Sequence, residues 1–234
     1  MSVAQVLPQF WFGFFSVFSA TRIYFDPMYQ VYNVLYTSTA IVAMAILDQD
    51  VSAVTALKMP QLYFDGPSGA FHSTKIFWTW MIEAIVHSLF ITFTPMAAAG
   101  GGVYALSDGQ TGGLFDFGNI VYFLVVLTVT ARLGFDLRMI NVWTGTFLVI
   151  SVFFWICSWI YFDTYVSASW PELYGNFSNH SGCVIFWLIV WCSSVLTAIT
   201  SLTRESIATC LNPTSSIIAR EMEKGGDEAR VSPD

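Results

Sequence analysis

The sequence predicts an all-α integral membrane fold with about six transmembrane helices and both termini in the cytosol. Three observations carry that prediction. The chain is 55% hydrophobic and 11% charged, with a mean hydropathy of +0.61, whereas a soluble domain carries about 25% charged residues. Six apolar runs lie at 3–20, 29–47, 76–98, 117–133, 142–162 and 184–203, each near the ~20 residues needed to cross a hydrocarbon core about 30 Å thick. None alternates with period two, so a closed β-barrel is not indicated. Finally, threading six spans from a cytosolic N-terminus puts Lys58, Lys75, Arg132, Arg138, Arg204, Arg220, Lys224 and Arg230 inside and only Arg22 outside, a strong positive-inside bias.

The first run has no basic n-region and no small-residue cleavage site, so it reads as a span and not as a cleavable signal. Pro8 lies near its start, and Asp26-Pro27 marks the turn into the second run. That second run ends at Leu47 and leads into Asp48-Gln49-Asp50-Val51-Ser52. Asp50 is a candidate N-cap for a short helix ending at Lys58. Residues 99–116 are a glycine-rich outer loop with no phosphate-cradle pattern. The outer loop 163–182 carries two sequons, which make Asn176 and Asn179 glycosylation candidates. The four cysteines have no CxxC spacing and read as free, buried thiols. A membrane domain over 1–205 and a mostly disordered cytosolic tail over 206–234 follow, with a brief helix at Ala219–Lys224 and disorder from Gly225.

Chemistry can sit at two places inside the spans. Gln30, Asn33 and Thr37 fall at i, i+3 and i+7 of the second run, which puts them on one helical face flanked by Tyr36 and Ser38. Amides in hydrocarbon are costly unless paired, so this stripe faces other helices or a wet groove. In the third run Glu83 and His87 stand at i, i+4 and share a face. An ionisable residue mid-span is by default a functional candidate, although a buried polar pair is the simpler reading. E-x-x-x-H is not the metalloprotease pattern, and no metal site is expected. Arg132 and Asp136, also at i, i+4, read as an interfacial ion pair. No basic patch exists, which argues against a nucleic-acid partner.

Several motifs then point to one family. Tyr32 to Ser38 reads YNVLYTS; Asp48 to Ser52, Pro60-Gln61-Leu62-Tyr63 and Lys75-Ile76-Phe77-Trp78 follow in order. This closely resembles the sixth transmembrane helix, the following cytosolic loop and the seventh helix of type IV P-type ATPases, the phospholipid flippases. The segment from Gln9 to Phe15 resembles the outer half of the fifth helix, and Gly118 to Tyr122 the start of the eighth. The resemblance implies the fifth to tenth helices of a larger ATP-driven, Mg-dependent pump. It places Asn33, Thr37, Gln30 and Tyr36 near the lipid headgroup path, and Asp48 and Asp50 beneath the membrane against a cytosolic domain. It further implies a phospholipid substrate, a two-span glycosylated accessory subunit and a plasma, Golgi or endosomal membrane.

Two departures stand out. Thr39-Ala40 and Ala45 replace a proline and a glycine of many members, so a straighter second helix is expected. The aspartyl-phosphate motif DKTGT, the nucleotide domain and the actuator loop are not in these 234 residues. The chain is therefore expected to be a fragment, with ATP and Mg handled by N-terminal ATPase domains outside it. Two other classes are compatible with these residues. One is a stand-alone polytopic protein binding lipid or the accessory subunit; the other is a small membrane enzyme or channel using Glu83 and His87.

Overall fold

A computed structural model describes the chain except residues 1, 68–72, 99–111, 140, 167–169, 212 and 232–234, and except the side chains of 2, 65, 172 and 224–231. The described residues are helical, with no strand among them. The helices are α1 (Ser2–Phe15), α2 (Asp26–Val31), α3 (Ser38–Leu47), α4 (Ala53–Lys58), α5 (Thr74–Ala98), α6 (Leu114–Asp136), α7 (Val142–Tyr161), α8 (Asn176–Ser181), α9 (Val184–Leu211) and α10 (Ser215–Val231). A π turn over Tyr32–Thr37 joins α2 to α3 in one rod.

Five of these units are long and apolar enough to span a membrane: Asp26–Leu47, Thr74–Ala98, Leu114–Asp136, Val142–Val166 and Val184–Leu211. The first expected run differs. α1 has 14 residues, about 21 Å at 1.5 Å per residue, short of a full crossing. It stops because Val17, Phe18 and Ala20 take φ values of 52°, 54° and 60°, a left-handed region no helix continues through. The chain then folds back. The Gln9 amide clamps the return, donating to the Thr21 carbonyl at 2.8 Å and accepting the Ile23 N–H at 3.0 Å.

That return drives Ile23, Tyr24 and Phe25 into the core against α6. Gly118 permits it: a Cβ there would lie 1.7 Å from the Ile23 carbonyl oxygen. α6 is the central post, in contact with α1, α5, α7 and α9. Of its most apolar 18-residue window, 72% is buried, against 17–33% for the other four spans. An α-helix apolar all round belongs in such a position.

Three expectations change at the other end of the bundle. Ser52, not Asp50, caps α4, accepting the Thr55 N–H at 3.3 Å. α9 continues through Arg204 to Leu211, and α10 is helical through Val231 where disorder was expected from Gly225. α10 packs on the 3₁₀ turn Pro60–Asp65. The Glu223 carboxylate takes hydrogen bonds from Ser52 and Thr55, which hold it below the usual carboxylate range. The thiols are also placed differently: Cys157, Cys192 and Cys210 are exposed on the helix surfaces, and Cys183 is half-buried.

Candidate functional site

The polar stripe divides at the π turn. A π turn inserts about one residue, roughly 100° of rotation, into the helical phase. Gln30 and Asn33 are consequently exposed on the outer side of the rod, while Tyr36 and Thr37 are buried. The single face expected for Gln30, Asn33 and Thr37 is replaced by two faces divided by the π turn, while Ala40 and Ala45 lie beyond it in regular α-helix. The Thr37 hydroxyl turns back to its own helix, toward the carbonyls of Tyr32 at 3.5 Å and Asn33 at 3.4 Å. Ser38 does the same, donating to the Val34 carbonyl.

Behind the rod lies a tyrosine cluster. Tyr24, Tyr32 and Tyr36 surround Tyr122 of α6, with ring centroids 5.0, 6.0 and 6.2 Å away. The Tyr122 hydroxyl donates to the Met28 carbonyl at 3.0 Å and accepts from the Gln5 amide at 3.4 Å. Among the described residues, the Tyr24 and Tyr32 hydroxyls have no hydrogen-bond partner. The inner side of the rod is thus aromatic and tightly packed, and its outer side carries the amides.

The charged site is built by three helices. Glu83 of α5 faces the Arg132 Nε of α6 at 2.9 Å and the Arg204 Nε of α9 at 3.0 Å. Arg132 also holds Asp136 at 2.5 Å, the i, i+4 pair expected from sequence. Arg204 lies 3.8 Å from Asp136 and 3.3 Å from Glu205. Glu83 and His87 are linked through Ser201, which donates to Glu83 at 3.1 Å and lies 3.2 Å from the His87 Nε2. His87 also meets the Thr200 hydroxyl at 3.0 Å. A cavity of about 230 Å³ opens beside this network, lined in part by Trp80, Glu83, His87, Arg132 and Asp136. Glu83 is therefore a neutralised anchor between two guanidiniums, not an unengaged base. Arg204 is hidden from an apolar run that ends at 203, and Ser201 lies inside that run with no charge to mark it. The adjacent Arg204-Glu205 pair, one residue past it, was the available signal.

Asp48 and Asp50 behave differently from one another. Asp48 accepts the backbone N–H groups of Arg138 and Met139 at 3.0 and 2.9 Å. It thereby ties the end of α3 to the α6–α7 connection, and the anion at a helix C-terminus is compensated by these donors. Asp50 is exposed and 4.0 Å from the Arg138 guanidinium. At the opposite end, both sequon asparagines lie in α8. Asn176 is 3% exposed and its backbone N–H donates to Asp163 at 2.9 Å; Asn179 is half-buried. The neighbouring His180 pairs with Asp116 at 3.1 Å.

The family model for the phospholipid-translocating P-type ATPase C-terminal region matches residues 2–214. This chain belongs to that family. Among relatives of this flippase region, the human probable phospholipid-transporting ATPase IM is 28% identical across 97% of this chain. A phospholipid-transporting ATPase of Schizosaccharomyces pombe is 30% identical across 80%, and phospholipid-transporting ATPase IC of Xenopus tropicalis 35% identical across 56%. The matches cover 19%, 15% and 10% of those proteins, so the chain spans under a fifth of their length.

Proposed function

We propose that this chain is the C-terminal membrane part of an ATP-driven phospholipid transporter and supplies one wall of its lipid path. The observation that carries the reading is the outward Asn33 amide at the π turn of the Asp26–Leu47 rod. An amide donates and accepts hydrogen bonds, which suits a phosphate or serine headgroup. Gln30 lies on the same exposed side; Tyr36 and Thr37 support it from inside. Acyl chains would remain against the apolar outer surface of the spans.

ATP and Mg belong, on this reading, to domains outside these residues. Among the described residues no cluster of three His, Cys, Asp or Glu side chains could hold a metal, so no step is assigned to one here. Both termini are proposed to be cytosolic, which requires the short α1 and its left-handed exit through Val17, Phe18 and Ala20 to complete a sixth crossing together. That puts α10, Asp50 and the Pro60–Asp65 turn on the side of the ATPase domains, and α8 with Asn179 on the side of a glycosylated accessory subunit. Asn179 is the better sugar acceptor, because the buried Asn176 has no room for a glycan. The membrane is proposed to be plasma, Golgi or endosomal.

The deciding experiment compares Asn33→Ala with the parent in the full-length pump reconstituted with defined phospholipids. A changed headgroup dependence of ATP hydrolysis at unchanged thermal stability is expected. Lower stability with unchanged headgroup dependence would remove Asn33 from the path.

A further inference from the structure

The interruption of the Asp26–Leu47 rod is held from outside the rod. Ser151 of α7 is fully buried, and its hydroxyl donates to the main-chain carbonyl of Tyr36, inside the π turn. Side chains inserted into a helical ladder are a known cause of such interruptions. The same hydroxyl stands 3.5 Å from the Thr130 hydroxyl of α6. Three helices therefore meet at one peptide group through two neutral hydroxyls. In hydrocarbon a loosened carbonyl has no water to turn to, so a fixed donor decides which conformation persists.

The register has a consequence for Asn33. In an uninterrupted helix Asn33 and Thr37 lie one above the other, at i and i+4. Here Thr37 is 3% exposed and Tyr36 fully buried, while Asn33 and Val34 are exposed. Removing the π turn with Tyr36 and Thr37 held in place would rotate Asn33 toward the bundle.

We propose that Ser151 is a positioning residue for the lipid path: by holding the Tyr32–Thr37 π turn it keeps the Asn33 amide outward. This rests on the reading of Asn33 as a headgroup contact. Ser151 touches no lipid and acts only through the backbone of the neighbouring helix.

The test uses the full-length pump in proteoliposomes supplied with phosphatidylserine or phosphatidylcholine. The ratio of the two apparent KM values for lipid-stimulated ATP hydrolysis is the readout. Asn33→Ala and Ser151→Ala should shift that ratio in the same direction by about threefold or more, the scale of one interhelical hydrogen bond in a membrane. Ser151→Thr keeps the hydroxyl and should leave the ratio near the parent value. Ser151→Cys keeps the volume with only a weak donor; it should shift the ratio partway, and it serves if the alanine variant does not fold. If Asn33→Ala shifts the ratio while Ser151→Ala and Ser151→Cys change only thermal stability, the positioning role is overturned and the path reading stands. If Asn33→Ala leaves the ratio unchanged, the path reading fails and this inference with it.

Discussion

The charged cluster at Glu83 and the amide face at Asn33 are both polar sites inside apolar helices, yet they resolve in opposite ways. Glu83, Arg132, Arg204 and Asp136 turn toward one another across α5, α6 and α9. Gln30 and Asn33 turn away from the bundle. The difference follows from the cost of each group in hydrocarbon. A lone charge at depth costs several kcal/mol, so ions converge on counter-ions even when that requires three helices. A neutral amide costs less, and its orientation can be set by a local change of helical register. Charge therefore builds the frame here, and uncharged polarity remains available for a ligand.

Breaking the charged half should have the largest effect. Glu83→Ala removes the carboxylate that bridges the two guanidiniums and leaves Asp136 to face both, and a loss of about 3–5 kcal/mol is expected. Thermal unfolding in detergent checks it; a variant as stable as the parent would mean that solvent already screens the cluster. A packing lesion provides the contrast. Gly118→Ala puts a methyl 1.7 Å from the Ile23 carbonyl, and overpacking of this kind costs about 1–3 kcal/mol or more. Limited proteolysis of the Ser16–Phe25 return should report it first, because that segment must move.

The amide half should behave in the reverse manner. Asn33→Ala should change stability by no more than about 0.5 kcal/mol, as at other exposed positions, while altering headgroup dependence. The smallest effect is expected at α10. The folded-state pKa of Glu223 is lowered by Ser52 and Thr55. Its contribution to holding α10 is therefore full above the ordinary glutamate range and fades as pH falls through the depressed folded value. The hydrogen-exchange protection factors of α10, corrected for the intrinsic rate at each pH, should fall on acidification, and Glu223→Gln should remove that pH dependence. An identical pH response in the variant would place the titrating group elsewhere.

Much of this was legible from residues alone. The Glu83–His87 face and the Arg132–Asp136 pair depend only on helical spacing, which local hydrogen bonding enforces. Asp48 was visible as an acid at a helix end, but not the Arg138 and Met139 donors, which arrive from 90 residues away. The stripe was read with uniform α-helical phase, and that assumption failed at a single inserted residue. Asn176 and Asn179 looked equivalent as sequons; burial separates them.

By itself the sequence determined that the chain is helical, apolar enough to cross a membrane and related to the flippases, because hydropathy and motif spacing are local properties. Tertiary structure decided the rest. It shortened α1 by folding Ile23–Phe25 onto Gly118. It joined Glu83 to Arg204 across 121 residues of chain. It also placed Ser151 against the Tyr36 carbonyl. Each of these depends on which surfaces meet, and in a membrane a polar group must find its partner wherever the packing of distant helices brings one within reach.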